Sequence, residues 1–447
     1  MPTSSRSSQT PPSEPREPVC KDLLEKCNNY GRQVGEHYLR PTDLRAAGLY
    51  VYFETFEGRE GCAPGEIRMS GRKVLMFGSN DYLDLTNHPK VKEAAQAAIQ
   101  KYGTGCSGSR LLNGTLDLHV RLEAELAALT GKEDAMTFGT GFQTNYAGLS
   151  GLADKGDILL CDHNIHASLV EGALRTPARV LRYHHNDMAH LEHYLQECDG
   201  QAVLIVTESV FSMEGDVADL AGTARLARQY GARLYVDEAH SLGVFGTNGA
   251  GLAQALGVLG DVDVFMGTFS KSLASIGGFV ASTRPVIDYL KHTARPFVFS
   301  ASVAPGSIAA VLATLEIMRQ EPERQQRLFS VARRLKDELT SRGFWVLHGD
   351  TPIVPVVIPD AMALLRMCRA LLDEGVYVNA VLRPAATHNL LRISCTAAHT
   401  EEHVGIFVDA LERVAKRLGV KCQKHRKDPS GSNGHARKNG SSRAHAK

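Results

Sequence analysis

Between residues 90 and 300, segments whose apolar positions recur every three to four residues alternate with short runs of consecutive apolar residues. The longer period predicts helices over 90–102, 116–129 and 220–230, and the short runs predict strands over 158–161, 203–207, 234–236 and 262–266. That alternation predicts an α/β fold, a large domain built on a mainly parallel sheet clad by helices. Beyond residue 300 a long helical stretch, 304–339, leads to strands expected over 353–358, 376–379 and 391–394, a smaller C-terminal α+β domain. The chain then divides into a tail (1–20), an N-terminal segment (21–70), the large domain (71–300), the small domain (301–420) and a second tail (421–447), with no internal repeat.

The first 18 residues are rich in Ser, Pro, Glu and Arg and lack an apolar core, so they are expected to be disordered and to form neither a signal peptide nor a membrane helix. Residues 421–447 carry eight Lys or Arg against the single acid Asp428. A disordered, solubilising tail is the first expectation there, and contact with anionic lipid is the alternative. At 447 residues and 43% hydrophobic composition, the chain is long enough for two cores. It offers no run of about 18 apolar residues, so membrane contact is expected to be peripheral at most. The net charge of +1 gives no electrostatic case for nucleic acid. Nine cysteines lie scattered without CxxC or zinc spacing, which points to a reducing, cytoplasmic setting and to no metal site. Cys106 and Cys395 read as small packing residues.

The chemistry concentrates at the ends of the expected strands. Lys271 follows the 262–266 run in Gly267-Thr-Phe-Ser-Lys271-Ser-Leu-Ala-Ser-Ile-Gly-Gly278. A lysine at the exit of a buried strand is poorly solvated, so its amine loses part of its charge and becomes a nucleophile toward an aldehyde. The alternative is an ordinary surface lysine beside a glycine turn. Asp237 and His240 end another strand in Arg233-Leu-Tyr-Val-Asp237-Glu-Ala-His240. Ligands of open α/β sheets sit outside the carboxyl ends of strands, so both segments aim at one crevice. Pyridoxal phosphate needs a lysine for its aldehyde and an aspartate against its pyridine nitrogen. Helix capping is the commoner fate of a strand-end Asp, and its pairing with Lys271 argues against that. In Phe138-Gly-Thr-Gly141-Phe142-Gln-Thr-Asn145, glycines at a helix start expose N–H groups to a phosphate, with Thr268 and Ser270 as added hydroxyl donors. His166, after the run 157–161, is a candidate to lie on the cofactor face, or else is structural.

In order and spacing these segments resemble the α-oxoamine synthases of the fold-type I pyridoxal-phosphate enzymes. The resemblance runs from about residue 49 to about 418 and includes Gly105-Cys-Ser-Gly-Ser-Arg110-Leu-Leu-Asn-Gly114, Val210-Phe-Ser-Met-Glu-Gly-Asp216 and Leu391-Arg392-Ile-Ser-Cys-Thr-Ala-Ala-His399. It implies that Lys271 holds the aldehyde of pyridoxal 5'-phosphate, Asp237 faces the ring nitrogen, His240 the phenolic oxygen and His166 the ring. Gly141, Phe142, Thr268 and Ser270 would form the phosphate cup, and Ser212 would contact the cofactor. Arg392 would grip the amino-acid carboxylate and Asn80 would meet substrate; a small-domain salt bridge is the alternative for Arg392. The implied reaction is condensation of L-serine with a long-chain acyl-CoA, with loss of CO2, in a homodimer to which the 296–301 segment contributes. Alanine with a pimeloyl thioester is the rival within the family, and a catalytically silent partner subunit the rival outside enzymes. Two departures stand out: Asp84 occupies a position the family often fills with glycine, and the 383–392 loop looks shorter than usual.

Overall fold

The computed structural model describes residues 25–28, 30–34, 37–198 and 200–420, so the tails expected at 1–20 and 421–447 lie outside the described residues. The chain forms two units, Met1–Tyr50 and Val51–Lys447. In the first, an antiparallel pair, Arg32–Val34 with His37–Leu39, precedes a short helix, Pro41–Ala46, with proline at its start. Proline suits a helix's first turn, where its missing N–H costs nothing.

The second unit is built on seven strands: β1 (Asp134–Phe138), β2 (Ile158–Asp162), β3 (Arg179–Tyr183), β4 (Val203–Glu208), β5 (Arg233–Asp237), β6 (Val264–Thr268) and β7 (Gly278–Ser282). They lie in the order β1-β7-β6-β5-β4-β2-β3. The pairs from β6 to β3 are parallel, and β7 is antiparallel to both its neighbours. Every residue of β2, β6 and β7 is buried, as sheet strands covered on both faces must be. The helix Leu220–Tyr230 shows how the chain returns to the sheet. Asp219 caps its start, and Gly231, at φ +70°, ends it in the left-handed region two residues before β5.

Two smaller sheets follow. Leu390–Ser394 pairs antiparallel with Ile353–Val357 and with Asn379–Val381, while Arg72–Met76 pairs with Glu66–Met69 and, in parallel, with Val376–Tyr377. The single strand expected over 376–379 is therefore two short ones in different sheets. The helix expected over 304–339 is also two, Pro305–Gln320 and Glu323–Ser341. Pro322 has no N–H to continue the first helix and drives Glu321 out of helical geometry, to φ −124° and ψ 58°. The strand expected over 262–266 begins at Val264, because residues 259–261 form a 3-10 turn. Strands β1, β3 and β7 and the pair Glu66–Met69 and Arg72–Met76 were not expected; β3 reads Arg-Val-Leu-Arg-Tyr, too short and mixed to declare a period. Among the described residues no helix is long and apolar enough to cross a membrane.

Candidate active site

The carboxyl ends of the parallel strands converge. Strand β5 ends at Asp237 beside Glu208, its register partner on β4; β6 leads through Thr268 and Ser270 to Lys271; β2 is followed by His166. Strand β1 leads to helix α1 (Gly141–Leu152), and His166 precedes helix α2 (Ala167–Leu174). One cavity of about 330 Å³ is lined by Gly141, Phe142, His166, Asp237, His240, Thr268, Ser270 and Lys271, together with Asn145, Ser168 and Glu208. Small-molecule sites typically span ~300–1,000 Å³.

At the start of α1, Thr140 Oγ1 accepts from the Gln143 N–H at 3.1 Å, leaving the Gly141 and Phe142 N–H groups without a partner among the described residues. Such free N–H groups and the positive end of the helix dipole attract an anion. The hydroxyls of Thr268 and Ser270 stand 3.0 Å apart alongside. A Cβ at residue 141 would come within 2.7 Å of Thr268 Oγ1, so Gly141 lets the helix end approach that hydroxyl.

Asp237, 4% exposed, accepts from Asn145 Nδ2 at 2.7 Å and from the Ala239 N–H at 2.8 Å. Asn145 also donates to Ser168 Oγ (2.9 Å) and accepts from the Tyr235 hydroxyl (3.0 Å). His166 Nδ1 accepts from the Ser168 backbone N–H at 3.2 Å, which puts the proton of the neutral ring on Nε2. Desolvation by the cavity walls holds His166 below the usual histidine range even though the residue keeps an exposed face, with the Asp237 charge pulling the other way. Burial also pushes the Lys271 amine below the usual lysine range, opposed by the Asp237 and Glu208 carboxyls. His240 is held well below its ordinary value by burial and then by the Lys271, Arg392 and His166 charges.

The remaining expected residues form a second group, outside the cavity lining. Arg392, 5% exposed, donates from Nε to the Ser212 carbonyl at 2.6 Å and from Nη1 to Asn80 Oδ1 at 3.2 Å and Ser394 Oγ at 2.8 Å. Tyr82 joins the groups: its hydroxyl lies 2.7 Å from His240 Nδ1 and 3.4 Å from Asn80 Oδ1. Tyr82, Asn145, Ser168, Tyr235 and Glu208 escaped the sequence reading. Asn145 had a signal, four residues after Gly141 on the same helix face. Glu208 had one too, being a strand-end acid like Asp237.

Asp84 has a physical account, and the loop expected over 383–392 ends at Asn389, since residues 390–392 belong to the strand Leu390–Ser394. Asp84 adopts φ +54°, a conformation glycine takes without strain, and its carboxylate pairs with Arg59 Nη1 at 2.7 Å. In the loop, the N–H and hydroxyl of Thr387 both donate to Glu214 Oε1, at 2.8 and 2.9 Å, docking the loop on the turn that carries Ser212.

A strand-end lysine and aspartate facing a phosphate-suited helix start define a class of cofactor-dependent transferase, and the chain belongs to the aminotransferase class I and II family, which it matches over residues 72–411. It is similar to a serine palmitoyltransferase of Bacteroides thetaiotaomicron, 44% identical over 386 residues covering 86% of this chain and 97% of that one. It is 40% identical to an 8-amino-7-oxononanoate synthase of Geotalea daltonii, over 84% of this chain and 97% of that protein. Among solved structures, a serine palmitoyltransferase variant from S. paucimobilis with a bound PLP–myriocin aldimine superposes with a TM-score of 0.84, at 33% identity, over 90% of this chain and all of that one.

Proposed function

We propose that this chain is a pyridoxal 5'-phosphate-dependent acyltransferase that condenses L-serine with a long-chain acyl-CoA, palmitoyl-CoA above all, to give 3-oxosphinganine, CO2 and CoA, the first step of sphingolipid synthesis. The observation that carries this reading is the meeting of Lys271, Asp237, His166 and His240 around one cavity, in a chain whose relatives include named serine palmitoyltransferases over most of its length. The residues fit the cofactor. Free N–H groups and two hydroxyls suit its phosphate, a buried carboxylate suits a protonated pyridine, and a desolvated amine suits its aldehyde.

When bound, the cofactor supplies that aldehyde and a ring that takes up the electron pair released at the serine Cα. Lys271 would act at Nζ: it would hold the aldehyde at rest and, once displaced by serine, take the Cα proton, its lowered pKa leaving more of the amine in the neutral form that can accept one. Asp237, fixed by Asn145, would face the ring nitrogen. His166 would lie on the ring, its Nε2 proton free to donate, and His240 would meet the phenolic oxygen. Arg392 turns from Asn80 and the Ser212 carbonyl to grip the serine carboxylate, which its planar fork matches. Carbon–carbon bond formation at the thioester carbonyl would expel CoA as its thiolate, the carboxylate would leave as CO2, and the electron pair left at Cα would take up the proton held by Lys271.

The large (71–300) and small (301–420) domains would hold the cofactor and substrate between them, in a homodimer. In support of the dimer, Phe299, next to the helix Arg295–Val298, is 75% exposed and Phe142 of α1 is 48% exposed, apolar surface that a second copy could cover. Sedimentation of an active monomer would remove that part. We place the protein in the cytoplasm, with membrane contact peripheral at most. The similarity to 8-amino-7-oxononanoate synthases favours a second reading, alanine with a pimeloyl thioester. A panel of amino acids against acyl thioesters, read by release of CoA, separates the two: fastest turnover with serine and a long-chain acyl-CoA upholds the first.

A further inference from the structure

Glu208 is the one acid of the cavity to which the proposed chemistry gives no task. It ends β4 in register with Asp237, is 4% exposed and lines the same cavity. One of its oxygens accepts a short hydrogen bond from the His166 backbone N–H, and the other has no protein partner among the described residues. The ionisable groups that act on it are Asp237 on β5, Lys271 beyond β6 and Asp162 at the end of β2, together with the His166 backbone N–H.

Two adjacent carboxylates that are both buried compete for one negative charge. Asp237 has the advantage, since two N–H groups donate to it, whereas Glu208 receives one. A neutral carboxylic acid suits the geometry at Glu208: its carbonyl oxygen takes the His166 N–H, and its hydroxyl is a donor offered to the cavity. We propose that Glu208 is a positioning residue that stands as a neutral acid, holding the His166 backbone and through it the place of the His166 ring. Burial, then the Asp237 charge, hold the Glu208 carboxyl well above the usual carboxylate range, in keeping with that state. A neutral Glu208 also leaves Asp237 as the anion opposite the ring nitrogen, undiluted by a neighbour that would draw Lys271 to itself. What the His166 ring does rests on the reaction proposed above; the proton on Glu208 does not.

The test uses the full chain loaded with pyridoxal phosphate. Glutamine copies a neutral acid, with a carbonyl to accept and an NH2 to donate, so Glu208→Gln is expected to keep CoA release within about threefold of the unaltered protein. Glu208→Asp, too short to reach, and Glu208→Ala strand a buried N–H and are expected to lose about tenfold or more. Made in a His166→Ala background, Glu208→Ala should lower the rate no further, because the ring it positions is gone. At neutral pH the infrared difference between the unaltered protein and Glu208→Gln should contain a protonated-carboxyl C=O band that shifts in D2O. A glutamine variant as slow as the alanine one, or no such band, would overturn the proposal and make Glu208 an anionic partner of Lys271. Should the alanine variant fail to fold, the contrast of Gln with Asp and the infrared band still decide. Should the chain release no CoA with any substrate, the reaction proposed above fails while the infrared band still reports on Glu208.

Discussion

His185 clamps together the two loops that carry His166 and Ser212, and its charge makes a pH-dependent prediction. Its Nδ1 lies 2.9 Å from Asp162, 1% exposed at the end of β2, and its Nε2 lies 2.8 Å from Asp216, which follows Ser212 by four residues. Burial works against the charge of the ring, but the two carboxylates more than offset it and push the imidazole up to about 10. The span from an ordinary value near ~6.5 corresponds to roughly 5 kcal/mol at about 1.4 kcal/mol per tenfold. The side chain is 27% exposed, and solvent screening brings the expected contribution to about 2–3 kcal/mol. Because the folded-state value is raised, that stability is complete below about pH 6.5, declines above it, and is gone beyond about pH 10. Urea unfolding of the unaltered protein and of His185→Ala should therefore differ by about 2–3 kcal/mol at pH 6, and by under about 1 kcal/mol near pH 9.5. A gap that stays constant from pH 6 to pH 9.5 would refute the reasoning, leaving packing rather than charge as what His185 supplies.

Lys271→Ala should leave the circular dichroism spectrum unchanged and lower CoA release below about a thousandth, a barrier increase of roughly 4 kcal/mol; a faster variant would show that another amine does the work. Arg392→Ala should weaken serine binding by about 2–5 kcal/mol, read as a raised serine concentration at half-saturation in a spectral titration, while the absorbance of the loaded protein without serine stays as it was. Arg392→Lys should recover only part of that loss, since a point charge does not copy the fork. Tyr82→Phe leaves His240 Nδ1 buried without its partner, and urea unfolding should register about 1–3 kcal/mol of lost stability.

Much of the sheet was legible because its central strands are short apolar runs between amphipathic helices, as at Leu220–Tyr230 and β5. Strand β3 was not, since its two arginines blur the apolar pattern that buried strands show. The break between the helices Pro305–Gln320 and Glu323–Ser341 was written in Pro322, but a strong helical period on both sides masked it. Lys271 and Asp237 could be read as site residues because Asp237 closes its strand and Lys271 comes three residues after the end of its own. Tyr82 could not: it meets His240 across 158 positions of sequence, a closeness that no local pattern encodes. Arg392 shows the same limit in reverse. Its type and motif were plain, yet only the fold reveals that its guanidinium rests on the Ser212 carbonyl and on Asn80.

The most direct measurement incubates the purified, pyridoxal-phosphate-loaded protein with palmitoyl-CoA and L-serine labelled at its carboxyl carbon, and follows product, gas and thiol together. The expected result is unlabelled 3-oxosphinganine by mass spectrometry, with labelled CO2 and free CoA in equal amounts. Label retained in the lipid product, or product formed with alanine and a pimeloyl thioester but not with serine and palmitoyl-CoA, would contradict the account.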